Sequence, residues 1–242
     1  MASTFCALLT AYLLAESAAR SQWVLQRAPG LRVVILRATA ATLLSYVFLG
    51  ALHWPILLSV LAAGMAIATL ARRGPLVSVA WFTFSHCLNL AVLLGLSALF
   101  PGAAAAGWWI RGLAPGLAQA YFALLSGISG LIVCVSVGGN LIAGIMRPFT
   151  DEIRGDDIAG LAQGGRYIGW LERILVLLLV LIEQPNGIGF LIAAKSILRF
   201  GEIKEPGQRK VAEYIIIGTF ISFGWALFTS VLTQKAVKYW LP

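Results

Sequence analysis

Apolar runs of about 18 residues or more recur from one end of this chain to the other, each long enough to cross a ~30 Å hydrocarbon core as a helix. Such runs exclude an ordinary soluble fold, whose elements show a polar face to water. Composition agrees with this. Of the 242 residues 60% are apolar and 12% charged, roughly half the charged share of a soluble domain. The sequence predicts an all-α, polytopic transmembrane helix bundle with the lipid bilayer as its first partner.

Spans are expected near 3–22, 33–52, 54–71, 76–100, 117–146, 167–184, 187–201 and 211–234, about eight in all and six at the fewest. The second and third are separated only by Ala51-Leu52-His53-Trp54-Pro55, so they should form an antiparallel hairpin with its turn at the interface. The seventh, at about 15 residues, is short for a full crossing and suits a re-entrant or interfacial segment as well. Ala103 to Pro115, with Trp108, Trp109 and Arg111, has the amphipathic composition of a short interfacial helix. The chain thus divides into a transmembrane region over 1–146, a polar cytoplasmic loop over 147–165, and a charge-bearing region over 166–242 with about three helices. The loop holds Asp151, Glu152, Asp156 and Asp157.

The net charge of +8 has a topological reading rather than a nucleic-acid one, because Lys and Arg concentrate in alternate loops. Arg20, Arg27 and Arg32 follow the first span, Arg72 and Arg73 the third, Arg147 and Arg154 the fifth, and Arg199, Lys204, Arg209 and Lys210 the seventh. The positive-inside rule puts these loops in the cytoplasm and both termini outside, although Lys235 and Lys238 weaken the bias. The start, Met1-Ala-Ser-Thr-Phe-Cys, has no basic n-region, so the first helix is expected to remain. Cys6, Cys87 and Cys134 stand singly in apolar stretches, without metal spacing, and read as small buried hydrophobes.

A charge at the centre of a membrane helix costs about 2.5–3.5 kcal/mol on insertion scales, so charges inside spans face a partner or a wet cavity. In the second half, Arg166, Trp170 and Arg173 share one helical face, with Glu172 beside them. Lys195 and Arg199, four residues apart, present two cations side by side, and Glu183 or Glu213 is placed to supply counter-charge. Arg166, Glu172, Arg173, Glu183, Lys195, Arg199 and Glu213 together form the candidate polar or anion-binding cluster, suited to an anionic lipid headgroup, a phosphate or a transported ion. Interface-snorkelling side chains and structural ion pairs are the competing explanation. Lys195, about one turn deeper than the rest, distinguishes the two.

In the first half Glu16 is the only acidic residue before position 151, with Arg20 one helical turn on as a local partner. His86 and Asn89 bring polar groups into the fourth span, where interhelical hydrogen bonding suits them better than metal ligation, since His86 has no second ligand at metal spacing. Ser126, Gly130, Asn140 and Gly144 give the fifth span small-residue faces for close helix packing, within the bundle or against a second copy. No phosphate loop, nucleophile elbow or zinc-protease motif is present, and no catalytic, cofactor-binding or metal residue is assigned.

Three stretches in order, Gly165-Arg166…Ile168-Gly169…Leu171-Glu172-Arg173, Ile188-Gly189-Phe190-Leu191-Ile192-Ala193-Ala194-Lys195-Ser196…Arg199-Phe200 and Ala212-Glu213-Tyr214…Ile217-Gly218-Thr219…Ser222-Phe223, carry a family resemblance. The chain resembles bacterial multi-span membrane proteins of domain-of-unknown-function family 3307. The resemblance implies a bacterial inner membrane protein and supplies no activity. Members begin with a His- and Asp-bearing first helix ending in Leu-Gln and carry Asp-Gln…His in a later one. Here the corresponding residues are Tyr12, Glu16 and Leu25-Gln26, then Ser85-His86…Asn89, so the Leu-Gln end and an acidic position at Glu16 are kept while the other His and Asp positions are changed.

Three functional classes follow: a structural or accessory subunit of a membrane protein complex, a small-molecule or ion transporter or channel, and a membrane-embedded enzyme acting on a lipid-borne or phosphate-bearing substrate. The first is favoured, with a membrane protein or a second copy as partner. Few intramembrane carboxylates and no repeated half speak against secondary transport, and no clustered nucleophile speaks for an enzyme.

Overall fold

The computed structural model describes residues 1–19, 30–73, 79–153, 164–200 and 209–241. Among them the chain is all-helical: α1 (Ala2–Ala19), α2 (Leu31–Leu49), α3 (Trp54–Arg73), α4 (Val79–Leu99), α5 (Pro115–Ile132), a π-helical turn (Val133–Val137), α6 (Gly138–Ile153), α7 (Gly164–Leu181), α8 (Asn186–Phe200) and α9 (Arg209–Trp240). The π turn joins α5 to α6 without a break, which leaves eight separate helices, five of them long and apolar enough to span a membrane. Those five are α1, α2, α4, the run Gly116–Thr150 and Val211–Trp240. At 15 residues α8 is about 22 Å long, less than the hydrocarbon thickness.

The helices form two compact units, Met1–Ile132 with Ala236–Pro242, and Val133–Lys235. In the first, α1 is the central element: 61% of its span is buried, against 22% for α2 and α4. Ala7, Ala11, Ala15 and Ala19, buried along α1, let α2, α4 and α5 approach closely. Hydroxyls complete the seam with α5, where Thr10 Oγ1 lies 2.8 Å from Ser129 Oγ and Cys6 Sγ 3.3 Å from Ser126 Oγ. Trp240 Nε1 donates to the same Ser126 Oγ at 3.1 Å.

The α2–α3 hairpin forms as expected. Gly50 caps α2 at φ 61°, the left-handed conformation that glycine adopts without strain. On the facing helices the site of a Gly64 Cβ lies 3.5 Å from Ala38 Cβ, a contact of small residues about equally far from the turn.

The segment Ala103 to Pro115 corrects one expectation, because before α5 begins at Pro115 it forms successive turns rather than an interfacial helix. Its cause is packing. Trp108 N donates to Gly50 O at 2.6 Å, and a Cβ on Gly107 would stand 2.4 Å from Leu49 O. Trp109 stacks edge-on to Tyr121 and covers Gly50, while Ala103, Ala104 and Ile110 are buried. The chain folds back over the end of α2, which a straight helix cannot do.

The segment expected as a polar loop from 147 to 165 is helical at both ends, since α6 runs on to Ile153 and α7 starts at Gly164. Contacts with α9 explain the extension of α6: Thr150 Oγ1 reaches Tyr214 Oη at 3.4 Å and Met146 packs at Gly218. The core of this second unit is Cys134, Val176, Leu177, Phe223 and Ala226. Of the three cysteines, Cys6 and Cys134 are buried as expected and Cys87 is exposed.

Candidate functional site

Among the described residues, ion pairs between helices form at two places, one in each unit. In the second unit, Lys195 Nζ on α8 donates to Glu172 Oε2 on α7 at 2.7 Å. Lys195 also stands 5.6 Å from the centre of the Phe223 ring. Its counter-charge is therefore Glu172, rather than Glu183 or Glu213. Glu183 lies in the turn after α7 at φ 60°, and Glu213 is exposed near the start of α9. The Arg199 side chain lies outside the described residues, as do those of Asp151 and Glu152 and the loop positions Arg20, Arg27, Arg154, Asp156, Asp157 and Lys204.

Arg173, adjacent to Glu172 in sequence, points to different partners. It is 5% exposed, donates from Nη1 to Ser222 Oγ at 3.1 Å and from Nη2 to Val135 O at 3.4 Å, while its Nε finds no acceptor among the described residues. The π turn makes this possible. A π turn adds one residue to the helix and takes backbone carbonyls out of the regular i to i+4 ladder. Here Val135 O accepts from Arg173 and Val133 O accepts from Trp225 Nε1 at 3.2 Å. Glycine makes room for both donors: a Cβ on Gly138 would stand 2.2 Å from Trp225 Nε1, and one on Gly139 3.2 Å from Arg173 Nη2. Arg166, two helical turns before Arg173, is exposed, with its guanidinium 4.9 Å from the Trp170 ring and 5.7 Å from Tyr167.

In the first unit, Glu16 on α1 is 3% exposed and meets Arg37 Nε on α2 at 2.8 Å. One turn earlier on α1, Tyr12 Oη lies 2.5 Å from His86 Nδ1 on α4, and Phe82 stacks edge-on against His86. Asn89, one turn beyond His86, is buried and donates from Nδ2 to Ser85 O at 2.8 Å. Tyr12, Arg37 and Asn89 line a cavity of about 20 Å³. Glu16, His86 and Asn89, singled out from the sequence, thus fall in one neighbourhood, while Glu172, Arg173 and Lys195 fall in the other.

Sequence reasoning does not reach Arg37, Ser222 or the Trp225 contact with the π turn. Arg37 does carry a signal, being a lone cation inside an apolar span that requires a counter-charge. The π turn has no comparable mark, because the apolar run passes through it unchanged. Chemically, both clusters hold helices together by an ion pair and by side-chain hydrogen bonds. Among the described residues, no group of three or more His, Cys, Asp and Glu could hold a metal ion.

Apolar spanning helices whose internal charges face one another define a membrane-embedded helical protein. Compared with known proteins, the chain matches no protein-family model, no curated protein and no solved structure.

Proposed function

We propose that the chain is a multi-pass protein of a bacterial plasma membrane and serves as a structural or accessory subunit of a membrane protein complex. One observation carries this reading: among the described residues two acidic side chains inside the spans meet cations across helices, Glu16 with Arg37 and Glu172 with Lys195. Charges matched in this way fix which helices are neighbours. A transport pathway instead needs charges open to a passing solute. The volume beside Arg37, about 20 Å³, is room for about one water and too little for a transported metabolite. Bacterial origin rests on the resemblance of residues 165–223 to family 3307.

In this reading the loops rich in Lys and Arg lie in the cytoplasm and both termini lie outside, and Arg166, exposed over Trp170, is free to meet anionic lipid headgroups there. The test is extraction into native lipid nanodiscs from the source membrane through a terminal tag. A second membrane protein at fixed stoichiometry is the expected result. A chain that purifies alone and moves solute across reconstituted vesicles would favour the transporter instead.

A further inference from the structure

Two side chains of the first unit, the buried Asn89 and the half-buried Arg37, line one space and have unused hydrogen-bonding capacity. Arg37 has five N–H donors. Its Nε faces Glu16 at 2.8 Å, and neither Nη donates to an acceptor among the described residues. Asn89 is 7% exposed, and one N–H of its Nδ2 donates to Ser85 O. Its Oδ1 accepts nothing among the described residues. Both side chains line the same cavity, and Ala41 and Gly64 give it room. An amide oxygen without a donor at membrane depth is costly, so the space suits a molecule that donates to Asn89 and accepts from Arg37.

Size and charge select that molecule. A cavity of about 20 Å³ exceeds the 10–15 Å³ or so that one water requires, and it is too small for a phosphate or a carboxylate-bearing metabolite. The Glu16 carboxylate beside Arg37 already gives that cation an anionic partner, so a further anion gains little there over a neutral ligand. We propose that this cavity is an intramembrane water site, in which one ordered water accepts from an Arg37 Nη and donates to Asn89 Oδ1. The water ties α2 to α4 and hydrates the Glu16–Arg37 ion pair inside the span.

Water-edited solid-state NMR on isotopically labelled protein in lipid vesicles tests this directly. Magnetisation from water protons should reach the Arg37 Nη and Asn89 side-chain nitrogens, while Leu8 and Leu125, fully buried in the same unit, receive none. Transfer at Arg37 and Asn89 no greater than at those leucines overturns the proposal. In Ala41→Leu, whose added side chain fills the cavity, transfer should be lost. A folded Ala41→Leu protein with transfer unchanged contradicts the site equally. Should that variant not fold, the wild-type comparison decides by itself.

Discussion

Lys195 and Glu172 join α8 to α7 by an ion pair in the second unit. Breaking such a pair from one side leaves an uncompensated charge, which costs about 3–5 kcal/mol in buried settings. With side chains 18% and 11% exposed, this pair should fall toward the lower end. Glu172→Ala and Lys195→Ala are each expected to lower the unfolding free energy in detergent titrations by about 3 kcal/mol, while Glu172→Leu with Lys195→Leu together should come close to wild type. Equal and additive losses would show that the two side chains do not depend on each other. Both residues are legible in the sequence as charges inside spans, but their pairing is not. Helical periodicity fixes the face of each side chain on its own helix, whereas the partner depends on the register between helices, and that register is set by packing. Arg37 is hidden in the same way from Glu16: the local Arg20, one turn away, is the nearer cation in sequence, and the cross-helix one lies 21 positions on.

The π turn at Val133–Val137 plays this part for a whole element. It exposes carbonyls that a regular helix would close, and the donors that take them, Arg173 and Trp225, come from α7 and α9. Arg173→Leu removes the donor to Val135 O and the bond to Ser222 together. Its expected effect is faster amide exchange confined to residues 133–137 and their immediate neighbours, read by hydrogen–deuterium exchange mass spectrometry in nanodiscs. Arg173→Lys, which retains a donor, should restore part of the protection, and unchanged exchange in Arg173→Leu would mean that the turn holds without the side chain. The existence of the helices is legible because spanning length and apolar composition are local properties. The turns of Ala103 to Pro115 escape such reading, since their amphipathic composition fits a surface helix equally well and only the contacts of Gly50 and Gly107 decide. The α6 extension escapes it too, because Thr150 gains its reason to stay helical from Tyr214, far along the chain.

For the molecule as a whole, the loop charges make an orientation claim that can be checked independently of any activity. With both termini outside, single cysteines placed at the N-terminus and after Trp240 in a background lacking Cys6, Cys87 and Cys134 should react with a membrane-impermeant maleimide in intact cells. A cysteine at Lys204 should react only after permeabilisation, and the reverse pattern would invert the topology. Assembly, rather than flux or chemistry, is the role we propose for the internal charges. Native mass spectrometry of the tagged chain released from lipid nanodiscs tests it most directly. A complex of fixed stoichiometry containing this chain and a second membrane protein is the expected result; the chain appearing alone, and conducting solute or ions once reconstituted, would overturn that role.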